Sequence, residues 1–107
     1  MNSISHWING SVYPAKSDRS GEIFNPATGK ISGSVAFADV ATVDKAVDVA
    51  EKAFQDWRHS SLTKRTQVLF TFRELVNKNK EKIAELITAE HGKVLSDAQG
   101  EVTRGLE

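Results

Sequence analysis

The period of the apolar residues changes at Ala41, and that change limits the chain to a mixed fold. Downstream, Val43, Ala46, Val47, Ala50, Ala53, Phe54 and Trp57 fall at i, i+3, i+4, i+7, i+10, i+11 and i+14, the spacing that puts them on one face of an α-helix. Upstream, the apolar residues come in short runs separated by turn residues, which is the habit of strands. The fold class read from this contrast is α/β, with two short β-hairpins over residues 1–38 and about four α-helices over residues 39–107.

The hairpins are marked by their turns. Asn9-Gly10 lies between His6-Trp7-Ile8 and Ser11-Val12-Tyr13, and both turn residues tolerate positive φ, so a two-residue turn is expected there. A polar stretch from Lys16 to Gly21 reads as a loop. Glu22-Ile23-Phe24 and the run from Lys30 to Phe37 then flank Asn25-Pro26-Ala27-Thr28-Gly29, where Pro26 presets a turn and Gly29 supplies a left-handed exit.

The first helix begins near Ala41 with Thr42 as the expected N-cap, and Asp44 complements its dipole. A second is expected from Leu62 to Lys78, burying Val68, Leu69, Phe72, Leu75 and Val76. A third follows from Lys80, with Ile83, Leu86 and Ile87 inside, and stops at Gly92. Ser96-Asp97-Ala98-Gln99 has capping-box spacing, so a fourth is expected to start there. Its inward face is read as Ala98, Val102, Gly105 and Leu106, small residues that admit a close neighbour.

Composition excludes several kinds of chemistry. Lys plus Arg and Asp plus Glu each number 14 in 107 residues, so no excess charge points to nucleic acid. There is no cysteine, which removes thiol nucleophiles and thiolate metal sites from these residues. No leader or membrane-length apolar run is visible, and a cytoplasmic protein is expected.

Short motifs narrow the choice further. Gly29-Lys30 and Gly92-Lys93 lack the earlier glycine and the following Ser or Thr of a phosphate loop. His6, His59 and His91 share no metal-ligand spacing, so no metal site is expected. Lys78, Lys80 and Lys82 alternate with Asn and Glu and read as a solvated helix junction. Arg104 stands apart, with Gly100 and Gly105 on either side of it in GEVTRGLE. Its planar guanidinium is suited to gripping a carboxylate by two parallel hydrogen bonds, and glycines let a ligand approach. The alternative is local pairing with Glu101 at i−3 or Glu107 at i+3.

Trp7-Ile8-Asn9-Gly10, Asn25-Pro26-Ala27-Thr28-Gly29, Ala53-Phe54 with Trp57, Arg65 and Glu90-His91-Gly92-Lys93 together resemble the opening segment of the NAD(P)-dependent aldehyde dehydrogenases. The tail from Gly100 to Glu107 resembles their CoA-acylating branch, the methylmalonate-semialdehyde dehydrogenases. The resemblance implies the N-terminal part of a Rossmann-like dinucleotide-binding domain, in a longer enzyme whose remainder carries the catalytic cysteine, the NAD contacts and most of the oligomer surface. These residues would then supply no catalytic, cofactor-binding or metal-binding group. It implies oxidation of malonate or methylmalonate semialdehyde to acetyl-CoA or propionyl-CoA by a homotetramer using NAD and coenzyme A, with no membrane or nucleic-acid partner. It further implies that Arg104 binds the substrate carboxylate, and that the uncapped last helix continues. An aldehyde dehydrogenase of another substrate range, or a non-enzymatic helical interaction module, remains an alternative reading.

Overall fold

The computed structural model describes residues 2–14 and 18–107. It divides into two compact units, one made of the residues up to Phe24 together with Ile31–Ser60, the other of Asn25–Lys30 and Ser61–Glu107. In chain order the elements are β1 (Asn2–Ile4), β2 (His6–Ile8), β3 (Ser11–Tyr13), β4 (Ser20–Phe24), β5 (Ile31–Ala36), α1 (Val40–Trp57), α2 (Leu62–Lys78), α3 (Lys80–His91) and α4 (Leu95–Leu106).

In the first unit, β2 and β3 form an antiparallel ribbon with Trp7 opposite Val12. Its turn is the expected pair, Asn9 at φ 57° and Gly10 at φ 76°. β4 and β5 form the second antiparallel pair. Of the expected polar loop, Lys16 and Ser17 lie outside the described residues, while Ser20 and Gly21 are already in β4. They are drawn into the sheet because β4 pairs along the whole length of β5, up to Ser20 opposite Ala36.

β1 has no counterpart in the sequence reading. It pairs in parallel with β5, Asn2 opposite Gly33, giving the order β1-β5-β4. Period-two patterning cannot announce a three-residue strand whose partner lies far along the chain. Gly33 permits the pairing, since a Cβ there would lie 2.5 Å from the Asn2 carbonyl oxygen.

α1 starts one residue earlier than expected, at Val40. Asp39 is its N-cap, and its carboxylate accepts a hydrogen bond from the Thr42 amide at 2.7 Å. Thr42 is therefore inside the helix and buried, and Asp44 falls beyond the first turn. The expected stripe is also only partly inward. Ala46 is half-buried, while Val43, Val47, Ala50, Ala53, Phe54 and Trp57 remain exposed, and half-buried Val49 lies off the expected stripe.

In the second unit, the turn over 25–30 is closed by the Asn25 amide donating to the Lys30 carbonyl and the Gly29 amide donating to the Asn25 carbonyl, both at 2.8 Å. Gly29 has the expected positive φ of 66°. α2 is capped by Ser61, whose hydroxyl accepts from the Lys64 amide. α3 ends as expected on left-handed Gly92, φ 87°, where an added Cβ would come within 3.1 Å of Pro26.

The core of this unit is small. Ala84 of α3 meets Ala98 and Val102 of α4, with Val76, Ile83 and Ile87 packed around them. Ala98 and Val102 confirm half of the expected α4 face. Gly105 is exposed with no atom within 4 Å of an added Cβ, so nothing among the described residues uses its smallness. Leu86 is 65% exposed because the α3–α4 interface runs through Ile83, Ala84 and Ile87 instead. The α2 stripe is likewise open, Phe72 being 63% exposed, since of those five residues only Val76 reaches the core.

α4 has no capping box. It begins at Leu95, with Val94 in the cap position and no side-chain cap hydrogen bond. Extended Val94 hands its carbonyl directly to the Asp97 and Ala98 amides, so Ser96 is already inside the helix.

Candidate functional site

Arg104 lies in the last turn of α4, where a cation complements the negative end of the helix dipole. Ala98 and Val102 fix the inner side of that helix, and Arg104 is left exposed. Among the described residues it makes no hydrogen bond and no ion pair. Neither local partner weighed from the sequence, Glu101 or Glu107, is salt-bridged to it. No atom lies within 4 Å of an added Cβ at Gly100 or Gly105. The arrangement is a cation with open helix surface beside it, able to accept a carboxylate.

Glu101, three residues before Arg104, is held by Lys93 instead. The ammonium donates to Oε1 across the α3–α4 connection, and the two side chains are 21% and 40% exposed. Lys93 gets there because left-handed Gly92 ends α3 and turns the chain back along α4. The Lys93 hydrogen bond holds the Glu101 carboxyl below its ordinary range against some opposing desolvation, helped by the charges of Lys93, Arg104 and His91. Sequence reasoning missed this pair, having weighed Lys93 only in a Gly-Lys dipeptide and in the Glu90-His91-Gly92-Lys93 motif. The available signal was a basic residue just past a helix-stopping glycine and an acid on the next helix.

His59 and His91 are exposed, and His6 is half-buried, with its Nε2 buried and without a hydrogen-bond partner among the described residues. His6 lines an open groove of about 460 Å³ with Trp7, Ile8, Thr42, Val43 and Val47. Among the described residues no group of three His, Cys, Asp or Glu side chains could hold a metal ion. Among the described residues no helix is long and apolar enough to cross a membrane.

The residues at the β5–α1 turn do not suit a dinucleotide. The turn from β5 into α1 is Phe37-Ala38-Asp39, without glycine, and the Asp39 carboxylate already occupies the helix N-terminus. A pyrophosphate would meet a like charge where it needs free amides.

Comparison with known proteins agrees with the resemblance read from the motifs. The chain is 45% identical over all 107 residues to a malonate-semialdehyde dehydrogenase of Pseudomonas aeruginosa, of which it spans 21%. It is 40% identical over 97% of its length to the acylating mitochondrial methylmalonate-semialdehyde/malonate-semialdehyde dehydrogenase of Mus musculus, spanning 19% of it. A Sinorhizobium meliloti protein assigned methylmalonate-semialdehyde dehydrogenase activity and crystallised with NAD superposes with a TM-score of 0.95 at 39% identity, over 99% of this chain and 22% of that one. The chain thus spans about a fifth of the relatives it matches. The aldehyde dehydrogenase family pattern matches residues 13–107, from the end of the first hairpin through Arg104, so the chain belongs to the aldehyde dehydrogenase family.

Proposed function

We propose that the chain is the N-terminal part of the dinucleotide-binding domain of an NAD-dependent, CoA-acylating dehydrogenase that oxidises malonate or methylmalonate semialdehyde to the corresponding acyl-CoA with loss of carbon dioxide. The malonate- and methylmalonate-semialdehyde dehydrogenase relatives, matched over nearly the whole chain, support this substrate class. NAD, when bound, accepts the hydride; its contacts and the nucleophilic cysteine come from residues other than these. We assign the enzyme to the cytoplasm and to a homotetramer on the family resemblance.

The observation that carries the reading is the exposed Arg104, which has no ion-pair partner among the described residues, on a well-anchored helix. A semialdehyde of a dicarboxylic acid has an anion at the end remote from the reacting carbonyl, and ordinary aldehydes do not. A guanidinium placed for that anion supplies both charge and bidentate geometry. The role of these residues is accordingly to bind and orient.

The test is Arg104→Leu in the full-length enzyme, assayed on two substrates. Transition-state stabilisation with malonate semialdehyde should fall by about 2–5 kcal/mol, the range for truncating one member of a buried charged pair, while propanal should lose much less. Equal losses on both would make Arg104 structural and remove the basis of the assignment.

A further inference from the structure

We infer that Lys93 is a specificity-positioning residue, which keeps Arg104 available to a substrate anion by holding the one carboxylate that stands three residues away from it on the same helix. The inference rests on the reading of Arg104 as the anion-binding group.

On a helix, residues three apart are surface neighbours, and an acid N-terminal to a base at that spacing is attracted to it. Glu101 and Arg104 have this relation, and the Arg104 charge is felt at Glu101. Yet Glu101 is bonded to Lys93. Two cations compete for one carboxylate, and the more sheltered pair prevails: the Lys93 side chain is only 21% exposed, whereas Arg104 is open to solvent. The outcome is a helix end whose own acid is occupied and whose arginine is not. Removing the Lys93 ammonium leaves Glu101 without its hydrogen-bonded partner and turns it toward the nearest remaining cations, Arg104 foremost. An internal carboxylate then competes with the substrate's.

The experiment uses the full-length enzyme with malonate semialdehyde and propanal. Lys93→Met should raise KM for malonate semialdehyde by a factor of about 1.4 to 2.3, the factor corresponding to one helical ion pair, with kcat and all propanal kinetics unchanged. The double variant Lys93→Met/Glu101→Gln, in which the Glu101 carboxylate no longer competes, should restore KM to the parent value. A merely structural Lys93 would affect both substrates and would not be rescued by neutralising Glu101. An unchanged KM in Lys93→Met, a rise shared by propanal, or a failure of the double variant to restore KM overturns the inference. Arg104→Leu run alongside separates the two readings. If it discriminates between the substrates and Lys93→Met does not, the positioning role alone falls; if it does not discriminate, both fall.

Discussion

A single carboxylate shows how a local charge arrangement becomes a dependence on pH. Glu101 has its carboxyl lowered by the Lys93 hydrogen bond, so its folded pKa lies below its unfolded one. For a group depressed in this way, the stabilisation is fully present above the unfolded value, about 4.3 for glutamate, and is lost as pH falls through the folded value. Comparing thermal midpoints of the parent and Glu101→Gln from about pH 7 down to about pH 3 should give a constant gap at the upper end that closes at the lower. A gap that widened on acidification would mean that Glu101 is not stabilised in its charged form.

At the scale of the element, α1 offers a sharp test because sequence and structure name different caps. The Asp39 carboxylate satisfies the Thr42 amide, so Asp39→Ala should destabilise the protein by about 1 kcal/mol, read as a shift in denaturant midpoint at unchanged slope. An unshifted midpoint would leave Asp39 without a capping role. The elements themselves were legible in the sequence wherever the signal was local. The Asn9-Gly10 turn, the left-handed stops at Gly29 and Gly92 and the span of α2 are set by a few adjacent residues. Capping differs from the sequence reading at α1 because Asp39 and Thr42 both satisfy the rule and only the incoming chain direction selects between them, and at α4 because extended Val94 starts the helix with no side-chain cap. The exposed Arg104 was legible as a candidate because glycines bracket it. The Lys93–Glu101 pair was not, because it depends on how α3 turns into α4.

For the whole molecule the decisive quantity is how little is buried. Among the described residues the buried hydrophobic side chains are Ala84, Ala98 and Val102, and no large side chain is fully buried. Burying a large apolar side chain contributes roughly 1.5–3 kcal/mol, whereas ordering each residue costs about 1–2 kcal/mol of backbone entropy alone. Three small residues do not offset that. Meanwhile Trp7, Val47, Leu69, Phe70, Phe72 and Leu86 are each more than half exposed. The 107-residue chain made by itself should therefore bind a hydrophobic dye or self-associate. A monomer that melts cooperatively and ignores the dye would mean these faces need no cover. The sequence reading placed Val47, Leu69, Phe72 and Leu86 on apolar helix faces, since periodicity reports which side of a helix is apolar and says nothing about whether a neighbour is present to meet it.

The parallel pairing of β1 with β5 sets an order in time. β4 and β5 are neighbours along the chain and can close as a hairpin as soon as both exist, but a parallel partner is reached only across a long intervening segment. On a ribosome β1 is made before the other two strands of its sheet and has no partner in that sheet until Gly33 and its neighbours emerge. Its backbone amides and carbonyls must wait in water through the synthesis of both turns, and the middle strand of the sheet is the last of the three to be translated.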